Sequence, residues 1–148
     1  MRASINGINL IKQFEGCRYS PYRDSVGLWT VGYGHLIGDG KSLTSGDNRV
    51  FTQKEIDDFL VNDLMHVESG ISVLIRVPIT QNQFDALCSF CYNLGVGTLQ
   101  KSTLLKDINL SLWDAAANDI LKFHFAGGVS LPGLVKRRQA EHDLFIKE

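Results

Sequence analysis

Residues 14–36 read FEGCRYSPYRDSVGLWTVGYGHL, and this stretch decides the fold. A helical pattern over residues 4–15 ends in it at Glu15, and Gly16 is a natural helix stop. Beyond Gly16, β-branched and aromatic residues alternate with glycines and with turn-forming pairs such as Ser-Pro and Asp-Ser. That pattern predicts a small antiparallel sheet with tight turns over residues 17–37.

The same stretch contains two carboxylates and a threonine. Asp24 follows Glu15 by nine residues, and Thr30 follows Asp24 by six. Glu15 shares a helix face with Ile8 and Ile11, and apolar surroundings favour the protonated form that a general acid needs. Asp24 falls in or beside a turn, a polar setting in which a carboxylate stays ionised. Two acids in such different settings are the minimum that glycoside hydrolysis requires.

Each carboxylate also has an ordinary structural interpretation. A glutamate in the last turn of a helix is often a surface residue, and an aspartate in a turn often accepts hydrogen bonds from nearby backbone amides. For Asp24 the two interpretations are compatible, because the turn needs the same ionised carboxylate. For Glu15 the surrounding sequence favours the catalytic interpretation.

Helix-start signals after the sheet predict a mainly helical second half. Capping boxes with matching hydrophobic staples occur at Thr52 with Glu55 and at Thr80 with Gln83. The first helix should run to about residue 69, with Gly70 near or just past its end, and the second should be the central core helix. Further helices are expected around residues 101–108, from Ser111, and from Ser130-Leu131-Pro132 after a Gly127-Gly128 loop.

These elements make an α+β fold in which helices dominate. At 148 residues, the chain should be one domain with two lobes. The β lobe and the N-terminal helix would occupy about residues 1–50, and a helical lobe would occupy about residues 51–148. The carboxylates are expected to line a cleft between the lobes, where ligand sites tend to lie.

The composition excludes several classes of function. The formal net charge is −1, so no strong field marks a nucleic-acid binder. No apolar run reaches transmembrane length, and the N-terminus has no signal-peptide core. Cys88 and Cys91 form a C-x-x-C pair, but no second pair or suitable histidines complete a zinc site, so both are expected in the core. No cofactor and no metal are expected.

The order Glu15, Asp24, Thr30, followed by Gly-Tyr-Gly-His-Leu at 32–36, resembles the phage-type lysozymes, the T4-lysozyme-like endolysins of glycoside hydrolase family 24. The resemblance extends over nearly the whole chain. It implies a two-lobed lysozyme-like fold. It also implies an N-acetylmuramidase, which hydrolyses the β-1,4 bond between N-acetylmuramic acid and N-acetylglucosamine in bacterial peptidoglycan with inversion.

The resemblance also implies roles for individual residues. Glu15 would be the general acid, Asp24 would stabilise positive charge and hold the attacking water, and Thr30 would hydrogen-bond that water or Asp24. His35 and Asp63 would form a buried structural pair, which agrees with the position of Asp63 on an apolar helix face. By alignment, the substrate-binding positions are Leu36, Tyr92, Ser102 and Gly133.

The implied partners are peptidoglycan glycan strands, with neither nucleic acid nor stable membrane insertion, and a monomer is the default state. Without an export signal, the enzyme would accumulate in the host cytoplasm and reach the periplasmic wall through a holin, lysing the host. The adjacent Lys136, Arg137 and Arg138 indicate either a positive patch or a solvated helix end. A lytic transglycosylase or a non-catalytic wall-binding module would also fit the fold, although Asp24 and Thr30 favour hydrolysis.

Overall fold

The computed structural model describes residues 1–148 and has the predicted α+β architecture, with helices dominant. Its elements in chain order are α1 (Ile5–Glu15), β1 (Arg18–Arg23), β2 (Trp29–Gly32), β3 (His35–Leu36), α2 (Gln53–Leu74), α3 (Gln81–Leu94), α4 (Val96–Gln100), α5 (Thr103–Asn109), α6 (Trp113–Ile120), β4 (Phe125–Ala126), β5 (Val129–Ser130) and α7 (Pro132–Phe145). None of the helices combines the length and the apolar character that crossing a membrane requires.

Contacts between residues divide the chain into two compact units. One unit consists of residues 11–65 and contains the three-stranded sheet. The other consists of residues 1–10 and 66–148 and contains α3 to α7. Glu15, Asp24 and Thr30 therefore all belong to the first unit.

The predicted sheet is confirmed: β1, β2 and β3 are antiparallel neighbours in that order. Thr30 in β2 is paired with Tyr22 on one side and with Leu36 on the other. Residues paired across antiparallel strands place their side chains on the same face. Tyr22, Thr30 and Leu36 thus form one row across the sheet, which we call the Thr30 row.

Helix α2 begins at the predicted capping box but is longer than expected. The Thr52 amide donates to Oε1 of Glu55, and the Glu55 amide donates to Oγ1 of Thr52, both at 3.1 Å. The expected end near Gly70 is wrong, because the helix continues to Leu74. A methyl group on Gly70 would lie 2.8 Å from Cγ1 of Val96, so this glycine permits close packing inside the helix instead of ending it.

Helix α3 is the core helix, as predicted. Its capping box joins Thr80 and Gln83, and the helix ends at Leu94 with Gly95 as its C-cap. All residues from Phe84 to Cys91 are buried. Both C-x-x-C cysteines are free thiols in this buried run, and burial raises the pKa of Cys91 to about 12 and raises the pKa of Cys88 as well. This confirms the interpretation as core packing.

The segments after α3 differ from expectation at three places. The helix predicted around residues 101–108 is present as α5, but an additional five-residue helix, α4, precedes it and contains the fully buried Leu99. Helix α6 begins at Trp113 because Ser111 has a left-handed φ of +57°. The predicted Gly127-Gly128 loop is the turn of a hairpin between β4 and β5, in which both glycines have positive φ.

Both interpretations of the basic run in α7 are wrong for its two arginines. Arg137 and Arg138 are only 4% and 0% exposed, and each pairs with the fully buried Glu141. Oε2 of Glu141 also accepts a hydrogen bond of 2.6 Å from the Ser89 hydroxyl on α3. Of the three basic residues, only Lys136 is exposed. The arginines therefore hold α7 against α3 and do not form a surface patch.

Candidate active site

Glu15 is the last residue of α1, and its position follows from how that helix ends. Gly16 adopts a φ of +69°, and its amide donates to the Lys12 carbonyl oxygen at 3.2 Å. Ile11, one turn before Glu15, is fully buried, whereas Glu15 itself is half-buried. The carboxyl group is thus fixed at the border between the core and solvent.

The turn between β2 and β3 approaches the Glu15 carboxyl group. A methyl group built on Gly34 would lie 3.5 Å from Oε1 of Glu15, and Gly34 has a φ of +84°. A larger residue at this position would be strained and would fill space beside the carboxyl group. Sequence analysis did not single out Gly34, although two glycines flanking one tyrosine between β-type residues are a recognisable turn signal.

Asp24 follows β1 and closes the hairpin turn, as predicted. Its Oδ1 accepts hydrogen bonds from the amides of Val26 and Leu28 at 3.0 and 2.9 Å. Its own amide donates to the Leu28 carbonyl oxygen at 2.9 Å. Oδ2 makes no hydrogen bond within the protein, so one oxygen fixes the side chain and the other remains available to a ligand.

Thr30 is buried, and its side chain is fixed by the carbonyl group of Leu28. Its hydroxyl donates to the Leu28 carbonyl oxygen at 2.9 Å, the oxygen that also accepts from the Asp24 amide. Since a hydroxyl has only one proton, Oγ1 of Thr30 can then act only as an acceptor. Of the two predicted partners, Asp24 receives no hydrogen bond from Thr30, and the contact with water stays a prediction.

Tyr22 lies beside these groups, although sequence analysis did not name it as a site residue. It is the neighbour of Thr30 in the Thr30 row, and it is half-buried. Burial raises the pKa of Tyr22, the guanidinium of Arg18 opposes that shift, and the charges of Glu15 and Asp24 add to it. The phenol is therefore close to both carboxylates. Strand register, which the sequence does not fix, was needed to find it.

The predicted pair of His35 and Asp63 is confirmed, but it is less buried than expected. Nδ1 of His35 donates to Oδ2 of Asp63 at 2.9 Å, and the imidazole stacks on Phe59 with 4.1 Å between ring centroids. The side chains of His35 and Asp63 are 25% and 32% exposed. The pair connects β3 to α2 within residues 11–65.

The four predicted substrate-binding residues are divided between the two units. Leu36 is exposed in the Thr30 row. Tyr92 on α3, Ser102 and Gly133 belong to the other unit. The Ser102 hydroxyl caps α5 by accepting from the Leu105 amide and donates to the Leu99 carbonyl oxygen, so it already has local partners. Substrate contacts of all four residues stay a prediction.

Within residues 11–65, the site combines a carboxyl group at a helix end with a second carboxylate held by backbone amides. It also contains a hydroxyl that accepts hydrogen bonds. These are the groups needed to protonate a leaving oxygen and to orient and deprotonate a water molecule. No three histidine, cysteine or acidic side chains are grouped so that they could hold a metal ion.

A sequence model of the family described as phage lysozyme matches residues 12–141, which include Glu15, Asp24 and Thr30. The chain belongs to the phage lysozyme family. It is 41% identical to the endolysin of Acyrthosiphon pisum secondary endosymbiont phage 1, with 98% of each chain covered. It is also 39% identical to the SAR-endolysin of Bacteriophage PS119 over 132 residues, which cover 89% of this chain and 76% of that relative.

Solved structures agree with this assignment. A crystal structure of a P22 lysozyme point mutant superposes with a TM-score of 0.86 at 40% identity, covering 99% of both chains. The lysozyme-like fold expected from the sequence is therefore confirmed over the whole chain. The agreement includes the small antiparallel sheet that carries Asp24 and Thr30.

Proposed function

We propose that Glu15, Asp24 and Thr30 form the catalytic centre of an endolysin that hydrolyses the glycan strands of bacterial peptidoglycan. The chain is a muramidase by family, and its bond would be the β-1,4 linkage between N-acetylmuramic acid and N-acetylglucosamine. The residue assignment rests mainly on the hydrogen bonds to the backbone of Leu28. The Leu28 amide donates to Oδ1 of Asp24, and the Leu28 carbonyl oxygen accepts from the Thr30 hydroxyl, so Oδ2 of Asp24 and Oγ1 of Thr30 can each accept a hydrogen bond from a water molecule.

The reaction would begin with protonation of the glycosidic oxygen by the carboxyl group of Glu15 as the bond to the anomeric carbon breaks. A water molecule would donate one hydrogen bond to Oδ2 of Asp24 and the other to Oγ1 of Thr30. Its lone pair would then attack the anomeric carbon, and its proton would pass to Asp24. Thr30 suits this role because its own proton is already donated to Leu28.

The Asp24 turn favours hydrolysis over a lytic transglycosylase reaction. A transglycosylase needs no attacking water, because a hydroxyl of the muramic acid closes on the anomeric carbon and leaves an anhydro end. The two backbone donors to Oδ1 of Asp24 would have no purpose in that reaction other than forming the turn. Inversion at the anomeric carbon is part of the proposal, because a water held by Asp24 and Thr30 attacks directly.

The deciding experiment compares wild type with Glu15→Gln on purified peptidoglycan. Wild type should release reducing muramic acid ends that carry the added water, and the variant should lose activity by about 100-fold or more. Mass spectrometry identifies the ends, and NMR of the first product identifies its anomer. Glu55→Gln is the matched control, since it makes the same change in the same unit at the start of α2.

Each other outcome contradicts one part of the proposal. Anhydro ends would assign the enzyme to the transglycosylases. Binding to peptidoglycan without release of ends would leave a wall-binding module. Full activity of Glu15→Gln, with an unfolding curve like that of wild type, would remove Glu15 from the reaction.

We further place the chain among the T4-lysozyme-like endolysins of glycoside hydrolase family 24, because the order Glu15, Asp24, Thr30 is typical of that group. Leu36, Tyr92, Ser102 and Gly133 are proposed to contact the glycan. Leu36 has the most direct support, since it adjoins Thr30 in the sheet and is 41% exposed. Activity as a monomer is proposed too, and light scattering of the active enzyme tests it.

We propose holin-dependent release from the host cytoplasm, but the names of some relatives argue against it. Several of them are named SAR-endolysins, a name that points to release without a holin. Expression of this chain in a bacterial host with and without a holin, followed by turbidity, distinguishes the two routes. Lysis without the holin would contradict the proposal.

A further inference from the structure

Arg18 has no carboxylate partner, in contrast to three other basic side chains of residues 11–65. Ion pairs within this unit join Lys12 to Asp57, Arg49 to Glu55 and Lys54 to Asp58. Arg18 is exposed, and its guanidinium stacks on the aromatic ring of Tyr22. Its charge is therefore available to a ligand.

The stack on Tyr22 fixes where that charge lies. The guanidinium carbon of Arg18 is 4.6 Å from the centroid of the Tyr22 ring. Tyr22 is next to Thr30 in the Thr30 row, so the guanidinium lies on the same sheet face as the catalytic threonine. A stacked guanidinium keeps its hydrogen-bond donors directed outward, and it loses less conformational freedom on binding than a free side chain does.

The carboxylates of the site are close to the same stack. Glu15 and Asp24 both raise the pKa of Tyr22, whereas Arg18 lowers it, so all three charges lie within electrostatic reach of one phenol. Strand β1 joins the two carboxylates, and Arg18 comes three residues after Glu15. A ligand at the carboxylates thus lies near the Arg18 guanidinium.

Peptidoglycan carries carboxylate groups close to its glycan strand. The lactyl group of muramic acid is joined by an amide to a short stem peptide, so the sugars are uncharged and the negative charge belongs to the peptide carboxylates. A planar guanidinium with parallel N–H donors binds such a carboxylate better than an ammonium does. We propose that Arg18, stacked on Tyr22, binds a carboxylate of the stem peptide and so selects glycan strands that carry peptides. This inference rests on the proposed function.

Arg23 provides a matched control in the same strand. Its guanidinium carbon also lies 4.6 Å from an aromatic centroid, that of Trp29, its partner across the sheet. Adjacent residues of a strand point to opposite faces, so Arg23 lies on the face opposite to Tyr22. Arg23→Gln therefore removes a cation and an aromatic stack from β1 without removing the charge beside Thr30.

The experiment uses soluble, uncrosslinked glycan strands with stem peptides whose amino groups are acetylated. Half of the material is then converted to methylamides, which removes the carboxylate charges. On the charged strands, Arg18→Gln should raise KM about two- to fivefold at unchanged kcat, as expected for an exposed ion pair, whereas Arg23→Gln should match wild type. On the methylamide strands, all three proteins should have the same KM. Arg18→Lys should fall between wild type and Arg18→Gln.

Binding measurements test the role of Arg18 independently of the proposed hydrolysis. Calorimetry with Glu15→Gln and with Glu15→Gln/Arg18→Gln should give the same two- to fivefold difference in Kd on charged strands only. If wild type releases no ends but this difference is present, the inference is supported and the hydrolase proposal fails. An equal loss on both kinds of strand, or an equal loss in Arg18→Gln and Arg23→Gln, would overturn the inference.

Discussion

Asp24 and Glu141 are both carboxylates fixed by several hydrogen bonds, but their surroundings fix them in opposite ways. In the hairpin after β1, Oδ1 of Asp24 accepts from two backbone amides while Oδ2 has no protein partner. In α7, both oxygens of Glu141 interact with arginines, and one of them also accepts from Ser89. Asp24 is half-buried, whereas Glu141 has no exposed surface.

The difference distinguishes the carboxylate that we propose takes part in the reaction from one that stabilises the fold. Backbone amides orient Asp24 without adding a formal charge, so its negative charge and one of its oxygens remain for a substrate or a water molecule. The arginines neutralise Glu141, which compensates for the loss of its hydration. Burial raises the pKa of Glu141 and lowers the pKa of Arg138, and the charge of each opposes the shift of the other. A fixed but uncompensated carboxylate is therefore the better indicator of function.

The largest effect is expected from Asp24→Asn, in activity alone. The asparagine carbonyl oxygen can still accept from the amides of Val26 and Leu28, so the free energy of unfolding should change by less than about 1 kcal/mol. Turnover should fall about 10²- to 10⁴-fold, because an amide can neither take the proton of water nor stabilise positive charge. Release of reducing ends and urea unfolding measure the two effects. More than a tenth of wild-type turnover would exclude the proposed role.

Glu141→Gln is expected to lower stability strongly and to change activity only slightly. The neutral amide no longer compensates the charge of the fully buried Arg138, so the free energy of unfolding should fall by about 3–5 kcal/mol. Activity per folded molecule should change much less than in Asp24→Asn. Asp143→Asn is the control: it lies on the same helix but is exposed, and it should cost less than about 0.5 kcal/mol. If Glu141→Gln and Asp143→Asn were equally stable in urea, Glu141 would not have the proposed structural role.

Asp63 is intermediate between Asp24 and Glu141, since its side chain is 32% exposed and forms an ion pair with His35. Asp63→Asn should lower the free energy of unfolding at neutral pH by about 1 kcal/mol, because the histidine loses a charged acceptor that is partly screened by solvent. The amounts of glycan released per minute should stay close to wild type. An unchanged thermal midpoint would show that the pair adds nothing to stability.

Features of the structure that depend on residues close together in the sequence could be predicted from local sequence signals. Both capping boxes, the turn at Asp24 and the stop at Gly16 could be predicted from residues within a few positions of each other. The order Glu15, Asp24, Thr30 indicated the candidate site through its resemblance to a family. The hairpin at Gly127-Gly128 also had a local signal, a glycine pair between strand-type residues, which was interpreted as a loop.

Contacts between distant residues explain what could not be predicted. Helix α2 continues through Gly70 because Val96 occupies the space that a side chain would need. Arg138 is buried because it has Glu141 on its own helix and packs against Phe90 of α3. The role of the Leu28 carbonyl oxygen depends on backbone geometry in the hairpin, and residue type carries no information about it.

The smallest effect is expected at Glu55, a half-buried carboxylate that has both amide and guanidinium partners. The Arg49 guanidinium and the Thr52 amide lower the pKa of Glu55 to about 2. Because the folded pKa is below the ordinary value of 4.5, the stabilisation is complete above that value and is lost as pH falls from about 4.5 to about 2. Glu55→Gln keeps the capping acceptor but removes the charge, so its thermal midpoint should be lower than that of wild type at pH 7. The two midpoints should converge as the pH falls through this range. A difference that stays constant between pH 7 and pH 3 would mean that Glu55 acts only as a helix cap and that its ion pair with Arg49 contributes nothing.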